Sequence, residues 1–228
     1  MKIAFARPGW SYSSTWVRCW SETLFYCMDR GISVIDCPAS FHNIHMVRDQ
    51  CLGVNMARKG QLPFDGEQDY DYIMWLDSDQ VWTPEQLQML IDADEDVVSG
   101  WYTLSGTNGQ GVCIGWYDEA IMRSKGGMPC MNMDEVKKAR VNSKGLVDLG
   151  SYNPQFDYPW IGMGFMLVKR GVFEKLEYPW FYDDNIRIGD IIANRGDDIS
   201  FCKKLKEAGI RLYMHPGVRV GHEKMVIL

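Results

Sequence analysis

Two aspartates, one residue apart, follow an apolar stretch about a third of the way along the chain. The segment YDYIMWLDSD is apolar from Ile73 to Leu76 and then reaches Asp77 and Asp79, with Ser78 between them. Two ionised carboxylates this close repel each other unless a positive group lies beside them. A divalent cation such as Mn²⁺ or Mg²⁺ removes that repulsion and also binds phosphate oxygens. The pair therefore indicates a metal–diphosphate site, although two turn aspartates before a helix would have the same spacing.

Two later segments carry further charged or titratable groups. Asp197 and Asp198 begin a predicted helix, where the helix dipole favours negative charge. His222 follows a predicted strand further along the sequence. Taken alone, these are ordinary first-turn acids and an ordinary surface histidine.

The elements before and around the aspartate pair alternate between strand and helix. Strands are predicted at KIAFA, ISVID, YDYIMWLD and DVVSGWY, and helices at 14–30, at 44–59 and after Thr83. Thr83 at the N-cap, Pro84 and Gln86 form the pattern of a capping box. This alternation predicts a parallel sheet with crossover helices. Ligands bind at the carboxyl ends of the strands in such sheets, and the residues expected there are Arg7, Asp36, Asp77, Asp79 and Trp101.

The second half of the chain is less regular. Residues 104–153 are interrupted by glycines and are predicted to be irregular structure within one domain. The segment PWIGMGFMLVKRGVFEKL then predicts a strand leading into a short helix. A polar loop at 182–195 has two open interpretations, a lid over a ligand or a plain surface loop. The helix DDISFCKKLKEAG and the strand IRLYMHP follow it.

Composition excludes several classes of function. The chain has 228 residues and a formal net charge of −6, which argues against a basic nucleic-acid or membrane surface. No apolar run approaches the ~20 residues of a membrane helix. The seven cysteines are odd in number and contain no CxxC pair, as is usual for a reduced protein. We therefore expect a cytoplasmic protein with no transmembrane segment and no nucleic-acid partner.

Three segments together resemble the GT-A glycosyltransferases, nucleotide-sugar-dependent enzymes with a Rossmann-like sheet, and in particular those like glycosyltransferase family 2. These segments are YDYIMWLDSD, WIGMGFMLVKRGVFEKL and GDDISFCKKLKEAGIRLYMHPGVRVGH. Asp197 stands where the family usually has Glu, and Asp198 matches the Asp that follows. The resemblance implies an α/β GT-A fold, a mainly parallel sheet flanked by helices, in one domain over residues 1–228. Residues 1–103 would form the nucleotide-binding half and residues 104–228 the acceptor-side half.

The resemblance also implies roles for individual residues. Asp198 would be the catalytic base, and Mn²⁺ or Mg²⁺ would be bound by Asp77, Asp79 and His222. The donor, a nucleotide sugar linked to UDP or GDP, would be bound by Arg7, Pro8, Asp36, Arg48, Asp77 and Ser78. The transferred sugar and a hydroxyl acceptor, expected to be a glycan, would contact Trp160, Gly162, Gly164 and Asp197. Asp49 follows Arg48 where the family often has Asn, and Asp36 has the alternative role of a turn residue before Pro38.

Two other functions fit some of these residues. In a HAD-like phosphatase, Asp77 would be the nucleophile and Asp79 the general acid, but the strand of that family usually opens the chain. His222 and the WIGMGF segment would then have no role. A nucleotide-binding protein without catalysis is the other alternative.

Overall fold

The computed structural model describes residues 1–54, 62–105 and 110–224. Its helices are α1 (Ser14–Asp29), α2 (Ile44–Cys51), α3 (Pro84–Ala93), α4 (Glu119–Lys125), α5 (Met133–Lys138), α6 (Leu149–Tyr152) and α7 (Asp197–Glu207). Short 3₁₀ turns lie at Pro63–Gly66 and Phe173–Lys175. Within these ranges, no helix is both long enough and apolar enough to cross a membrane.

The strands complete an α/β domain. They are β1 (Lys2–Pro8), β2 (Ser33–Ala39), β3 (Tyr72–Leu76), β4 (Gln80–Val81), β5 (Val97–Trp101), β6 (Gly111–Tyr117), β7 (Cys130–Asn132), β8 (Val147–Asp148), β9 (Tyr158–Ile161), β10 (Phe165–Lys169), β11 (Asn185–Ile188), β12 (Ile191–Asn194), β13 (Tyr213–Arg219) and β14 (Gly221–His222).

Seven strands form the central sheet, in the order β2-β1-β3-β10-β5-β13-β8. Strands β1, β2, β3, β5 and β13 run in one direction, whereas β10 and β8 run in the other. Every residue of β3 and β5 is buried, as expected for strands covered on both faces. Because β10, β13 and β8 come from residues 104–228, the two predicted halves share one sheet.

Smaller sheets surround this core. Strands β7, β6 and β9 form an antiparallel sheet, β11 and β12 form a hairpin, and β4 pairs with β14. The last pair brings His222 opposite Gln80, the residue after Asp79. The far end of the described chain is therefore held against the aspartate pair by backbone hydrogen bonds.

Several predicted elements are confirmed and others are corrected. The capping box formed by Thr83 and Gln86 is present at the start of α3. The predicted helix at 44–59 ends at Cys51, and its positions 55–59 lie outside the described residues. The predicted loop at 182–195 contains the β11–β12 hairpin. The segment predicted as one strand and a helix forms two strands, β9 and β10, in different sheets, followed by a 3₁₀ turn.

The prediction of irregular structure at 104–153 is wrong. This segment contains β6, α4, β7, α5, β8 and α6, and β6 pairs with both β7 and β9. Gly115, in β6, has a packing role. A Cβ on Gly115 would lie 2.7 Å from the Trp160 ring, so the close approach of β6 and β9 requires a residue without a side chain.

Candidate active site

The two aspartates of the pair have different partners. Asp77 accepts two hydrogen bonds from the Arg48 guanidinium, at 3.0 Å from Nη1 and 3.1 Å from Nη2. The Nε of the same guanidinium donates to Asp197 Oδ2 at 2.6 Å. Arg48 therefore joins three elements: its own helix α2, the end of β3 and the start of α7. We call these three residues the arginine triad.

The arginine triad is a buried charge network. Arg48 is only 4% exposed, and burial lowers the pKa of its guanidinium. The carboxylates of Asp77 and Asp197 outweigh that effect and leave the pKa of Arg48 above its ordinary value. A buried charge with fully bonded partners is costly to disrupt, because removing one partner leaves the others uncompensated. The triad therefore fixes the position of the α7 start relative to β3.

Asp79 lies in a more open environment. Its Oδ2 is 3.2 Å from His222 Nε2 and 2.5 Å from Lys224 Nζ. Its Oδ1 accepts a hydrogen bond from Gln80 at 3.3 Å. Burial raises the pKa of Asp79, but the hydrogen bonds from His222 and Lys224 outweigh burial and hold it well below its ordinary value. Asp79 is therefore an ionised carboxylate, and a bound cation can displace the lysine ammonium group beside it.

The orientation of His222 is set by its neighbours. Its Nδ1 lies 2.8 Å from the carbonyl oxygen of Thr103, and only a protonated nitrogen can donate to that oxygen. With Nδ1 protonated, Nε2 faces the Asp79 carboxylate in one of two forms: an imidazolium donates a hydrogen bond to Asp79, whereas a neutral imidazole presents a lone pair beside the carboxylate, where a cation can bind both groups. The ring also packs against Tyr102, with a centroid distance of 4.8 Å.

These contacts test whether a divalent cation fits. A carboxylate oxygen and an imidazole nitrogen, both facing one point, are a donor set that Mn²⁺ accepts. In the part of the chain that the structure describes, no group of three or more His, Cys, Asp or Glu side chains is arranged around a metal position. A cation at Asp79 and His222 would thus take its other ligands from water and a diphosphate, which is common for such ions.

Asp198 begins α7 beside the arginine triad. Its Oδ1 accepts a hydrogen bond from the backbone N–H of Ile199 at 2.8 Å. The residue is partly exposed, but its carboxyl group is packed among protein atoms. This burial, together with the charge of Asp197, raises the pKa of Asp198 to about 7. The helix start alone predicts an ionised acid, so burial and the neighbouring carboxylate here outweigh the helix dipole.

The residues predicted to bind sugar lie in a packed region. Trp160 is 6% exposed, and Gly162 and Gly164 are buried. A Cβ on Gly162 would collide with the Tyr102 hydroxyl, and one on Gly164 would lie 2.8 Å from the Gln80 amide. The two glycines therefore allow Tyr102 and Gln80 to reach their places beside His222 and Asp79. Contact of these residues with a sugar stays a prediction, as it does for Asp197.

Arg7 and Asp36 form a pair of their own. Asp36 accepts hydrogen bonds from Arg7 Nε at 2.5 Å and Arg7 Nη2 at 2.6 Å. The guanidinium also lies 4.9 Å from the ring centroid of Trp20. Arg7 lies near the end of β1, as predicted, but the prediction that β2 ends at Asp36 is wrong, because β2 continues to Ala39. The charges of Arg7 and Asp36 are directed at each other. Their predicted contacts with a nucleotide stay untested.

A cavity of about 430 Å³ opens beside the aspartate pair, within the usual size of small-molecule sites. It is lined by Pro8, Gly9, Trp10, Ser11, Phe41, His42, Ile44, Val47, Asp77, Ser78 and Asp79. We call Asp77, Ser78 and Asp79 its carboxylate wall. We call Trp10, Phe41 and His42 its aromatic wall. Pro8 and Ser78, both predicted as donor contacts, are thus at the cavity.

The sequence does not reveal every group at this site. Sequence reasoning missed Lys224, the Thr103 carbonyl, Tyr102 as the packing partner of His222, and the aromatic wall. Lys224 had a usable signal, because it lies two residues after His222, and alternate residues of an extended segment face the same side. The aromatic wall had none beyond two aromatic residues in loops.

Comparisons with known proteins show the fold. No protein-family model matches the sequence, and no curated protein sequence matches it. The structure is similar to that of A197 from STIV, with a TM-score of 0.50 and 17% identity, over 100% of this chain and 97% of that one. It is also similar to GalNAc-T7 solved with UDP, GalNAc and Mn²⁺, with a TM-score of 0.47 and 14% identity, over 97% of this chain and 38% of that one.

The fold is therefore a single α/β domain with a mostly parallel central sheet flanked by helices, as the sequence predicted, and A197 shares this fold. At these low identities the similarity concerns the fold and leaves the reaction to be argued from the site.

Proposed function

We propose that this protein is a glycosyltransferase that depends on a divalent cation and moves a sugar from a nucleoside-diphosphate sugar to a hydroxyl acceptor. The observation that carries the proposal is the 3.2 Å approach of Asp79 Oδ2 and His222 Nε2, with the other nitrogen of the imidazole held by the Thr103 carbonyl. This pair lies at the carboxyl end of β3, next to a cavity, on a GT-A fold.

Asp79 and His222 would hold the cation, Mn²⁺ or Mg²⁺. When bound, the cation supplies positive charge to the diphosphate of the donor and to the nucleoside diphosphate that departs. Asp77 was predicted to share this role. Because both of its oxygens accept from Arg48, we propose instead that it acts through the guanidinium, holding Arg48 in place against the start of α7.

Asp198 would be the general base. With its pKa near 7, the carboxylate can take the proton of the acceptor hydroxyl as that oxygen bonds to the sugar carbon. The bond between this carbon and the diphosphate oxygen breaks, and the electron pair leaves with the nucleoside diphosphate. The arginine triad positions Asp198 by fixing the start of α7.

The phosphatase alternative has less support. A phosphatase nucleophile must reach the phosphorus of its substrate, but Asp77 is bonded through both oxygens to a buried arginine. A nucleotide-binding protein without catalysis shares the same cation site and differs only in its activity. We therefore propose UDP- or GDP-linked sugars as donors, a glycan hydroxyl as acceptor and a cytoplasmic location, all on the sequence resemblance and composition.

Two variants test the proposal. Asp79→Ala should abolish Mn²⁺-dependent binding of UDP or GDP, measured by isothermal titration calorimetry. Asp198→Ala should keep that binding and remove transfer or donor hydrolysis. Asp94→Ala is a matched control, because Asp94 also accepts from a lysine, Lys169 Nζ at 2.6 Å, but does not line the cavity.

The outcomes separate the alternatives. Unchanged Mn²⁺-dependent binding in Asp79→Ala would disprove the cation site. Full turnover in Asp198→Ala would disprove the base. Nucleotide binding by the unmodified protein without transfer or donor hydrolysis would favour the non-catalytic alternative.

A further inference from the structure

Two further cavities lie on the side of the molecule away from Asp79. One, of about 260 Å³, is lined by residues of α7 and of the segment 209–212 that follows it. The other, of about 450 Å³, is lined by residues 140–142 and by the start of α6, and its size is usual for a small-molecule site. Asp148 and Ser151 line both cavities. Because the two share these residues, we call them together the β8 groove.

The β8 groove lies at the opposite edge of the central sheet from the candidate active site. Asp148 pairs with Tyr213, the first residue of β13, and Tyr213 pairs with Val98 near the start of β5. The groove is therefore at the amino ends of the parallel strands, whereas Asp77 and Asp79 follow the carboxyl end of β3. Strand β8 is four positions from β3 in the sheet, which corresponds to about 19 Å. A ligand in the groove would thus be separate from the cation site.

Three cationic side chains line the β8 groove, those of Arg140, Lys206 and Arg211. The side chains of Arg140 and Lys206 make no hydrogen bond or ion pair with any residue that the structure describes. The side chain of Arg211 is 73% exposed, and its Nη1 lies 3.4 Å from the Tyr213 hydroxyl and 3.9 Å from Asp148 Oδ2. All three cations are therefore available to a ligand, in a chain whose formal net charge is −6.

Asp148 is the only acid among the described residues that line the groove. Its Oδ1 accepts from the backbone N–H groups of Gly150 and Ser151, at 3.1 and 3.2 Å, and its Oδ2 accepts from the Ser151 hydroxyl at 3.0 Å. The carboxylate is thus occupied in capping α6. Three cations and one carboxylate leave the groove with an excess of two positive charges.

A neutral donor lies in the same lining. Asn142 Oδ1 accepts from the backbone N–H groups of Lys144 and Leu146, at 2.9 and 3.0 Å. Because the carbonyl oxygen of this carboxamide is engaged, its NH₂ group is left to donate. Val141, which is 44% exposed, adds an apolar surface beside it.

These groups match a phosphate monoester. Such a phosphate carries a charge of about −1.5 to −2 at neutral pH and has three strong acceptor oxygens. Guanidinium and ammonium groups are its usual partners in proteins. The excess of two positive charges balances the phosphate, and the apolar surface can contact the organic group that it carries.

We propose that the β8 groove binds a phosphate monoester through Arg140, Lys206 and Arg211, without a divalent cation. The same phosphate group occurs in a free metabolite such as glycerol phosphate and in the headgroup of phosphatidic acid. The proposal does not depend on the proposed function, because the groove shares no residue with the cavity at Asp79.

Two measurements in the presence of EDTA test the proposal and separate the two sources. Glycerol phosphate is titrated calorimetrically, and co-sedimentation is measured with vesicles of equal parts phosphatidylcholine and phosphatidic acid. At least one of the two should bind the unmodified protein. Arg140→Gln and Lys206→Gln should each weaken that binding by about fivefold, as expected for loss of one exposed ion pair. Arg140→Lys, which keeps the charge, should weaken it less.

Three controls make the result specific. Arg18→Gln removes a cation that is also exposed, at 69%, from the surface of α1 and should leave binding unchanged. Asp79→Ala should also bind as the unmodified protein does. Vesicles of phosphatidylcholine alone, which lack a phosphate monoester, should not bind. Circular dichroism checks that each variant is folded.

The outcomes are distinct. Binding of glycerol phosphate that Arg140→Gln weakens would identify a soluble ligand, and the same loss with vesicles alone would identify a lipid headgroup. Absence of binding to both probes, or equal binding by Arg140→Gln, Lys206→Gln and the unmodified protein, would overturn the proposal. Loss of binding in Asp79→Ala would place the anion in the candidate active site and would also overturn it.

Discussion

The arginine triad and the surroundings of Asp79 solve the same electrostatic problem in different ways. In the triad, a guanidinium that is 4% exposed compensates Asp77 and Asp197 through three hydrogen bonds. At Asp79, compensation comes from an imidazole and from Lys224, whose side chain is 44% exposed. The arginine triad is part of the folded core, whereas the ammonium group of Lys224 can leave Asp79 for solvent. The difference suggests a structural role for the first aspartate of the pair and a ligand-binding role for the second.

Removal of Arg48 should have the largest effect. Arg48→Met leaves two largely buried carboxylates without their counter-ion, so the free energy of unfolding at neutral pH should fall by about 3–5 kcal/mol. Lys224→Met removes a cation from a partly exposed pair and should cost less than about 1 kcal/mol. Urea denaturation of both variants measures the two values. Equal losses would show that the triad is no more structural than the pair at Asp79.

The acid next to the triad should show itself in the pH profile of the reaction. Asp198 must be ionised to accept a proton, and its pKa is raised to about 7. The kcat/KM for hydrolysis of a nucleotide sugar, with water as acceptor and Mn²⁺ saturating, should therefore fall about tenfold per pH unit below about 7 and level off above it. A profile that stays flat between pH 5 and 8 would exclude Asp198 as the base.

Lys224 should have the smallest effect, and it tests whether the charges around Asp79 are exchangeable. A cation bound at Asp79 competes with the ammonium group of Lys224, so Lys224→Met should raise the affinity for Mn²⁺. The expected gain is about two- to fivefold, since partly exposed ion pairs contribute at most about 1 kcal/mol. Titration of Mn²⁺ without nucleotide measures it. Lys169→Met, which removes the partner of Asp94, is the control; a weaker Mn²⁺ affinity in Lys224→Met would contradict the comparison.

The sequence predicts the elements that depend on neighbouring residues, but not the strand pairing that depends on residues far apart in the chain. Strands β1, β2, β3 and β5 and the start of α3 follow from local pattern, because apolar runs and a capping box are properties of neighbouring residues. The sheet formed by β7, β6 and β9 does not, because its pairing depends on distant partners. Gly115, for example, is required where β6 approaches Trp160, which lies 45 residues away along the chain.

The candidate site also contains residues that the sequence identifies and contacts that only the fold reveals. Asp79, Asp198 and His222 stand out by type and position, and the structure brings His222 to Asp79 across 143 residues of chain. The bonds from Arg48 to Asp77 and Asp197 could not be read from the sequence, because they depend on how α2 and α7 cross the end of β3. The pairing of Arg7 with Asp36 is hidden for the same reason, since it joins two strands whose pairing the sequence does not state.

The short ladder between β4 and β14 determines which side chain faces Asp79. Its register places His222 opposite Gln80 and Gly221 opposite Val81. In an antiparallel ladder, a slip of one residue turns every side chain to the other face. Such a slip would put either a glycine or the carboxylate of Glu223 opposite Gln80 in place of the imidazole. Inserting or deleting one residue between Arg219 and Gly221 should therefore remove the imidazole from its place opposite Gln80 while leaving the central strands intact.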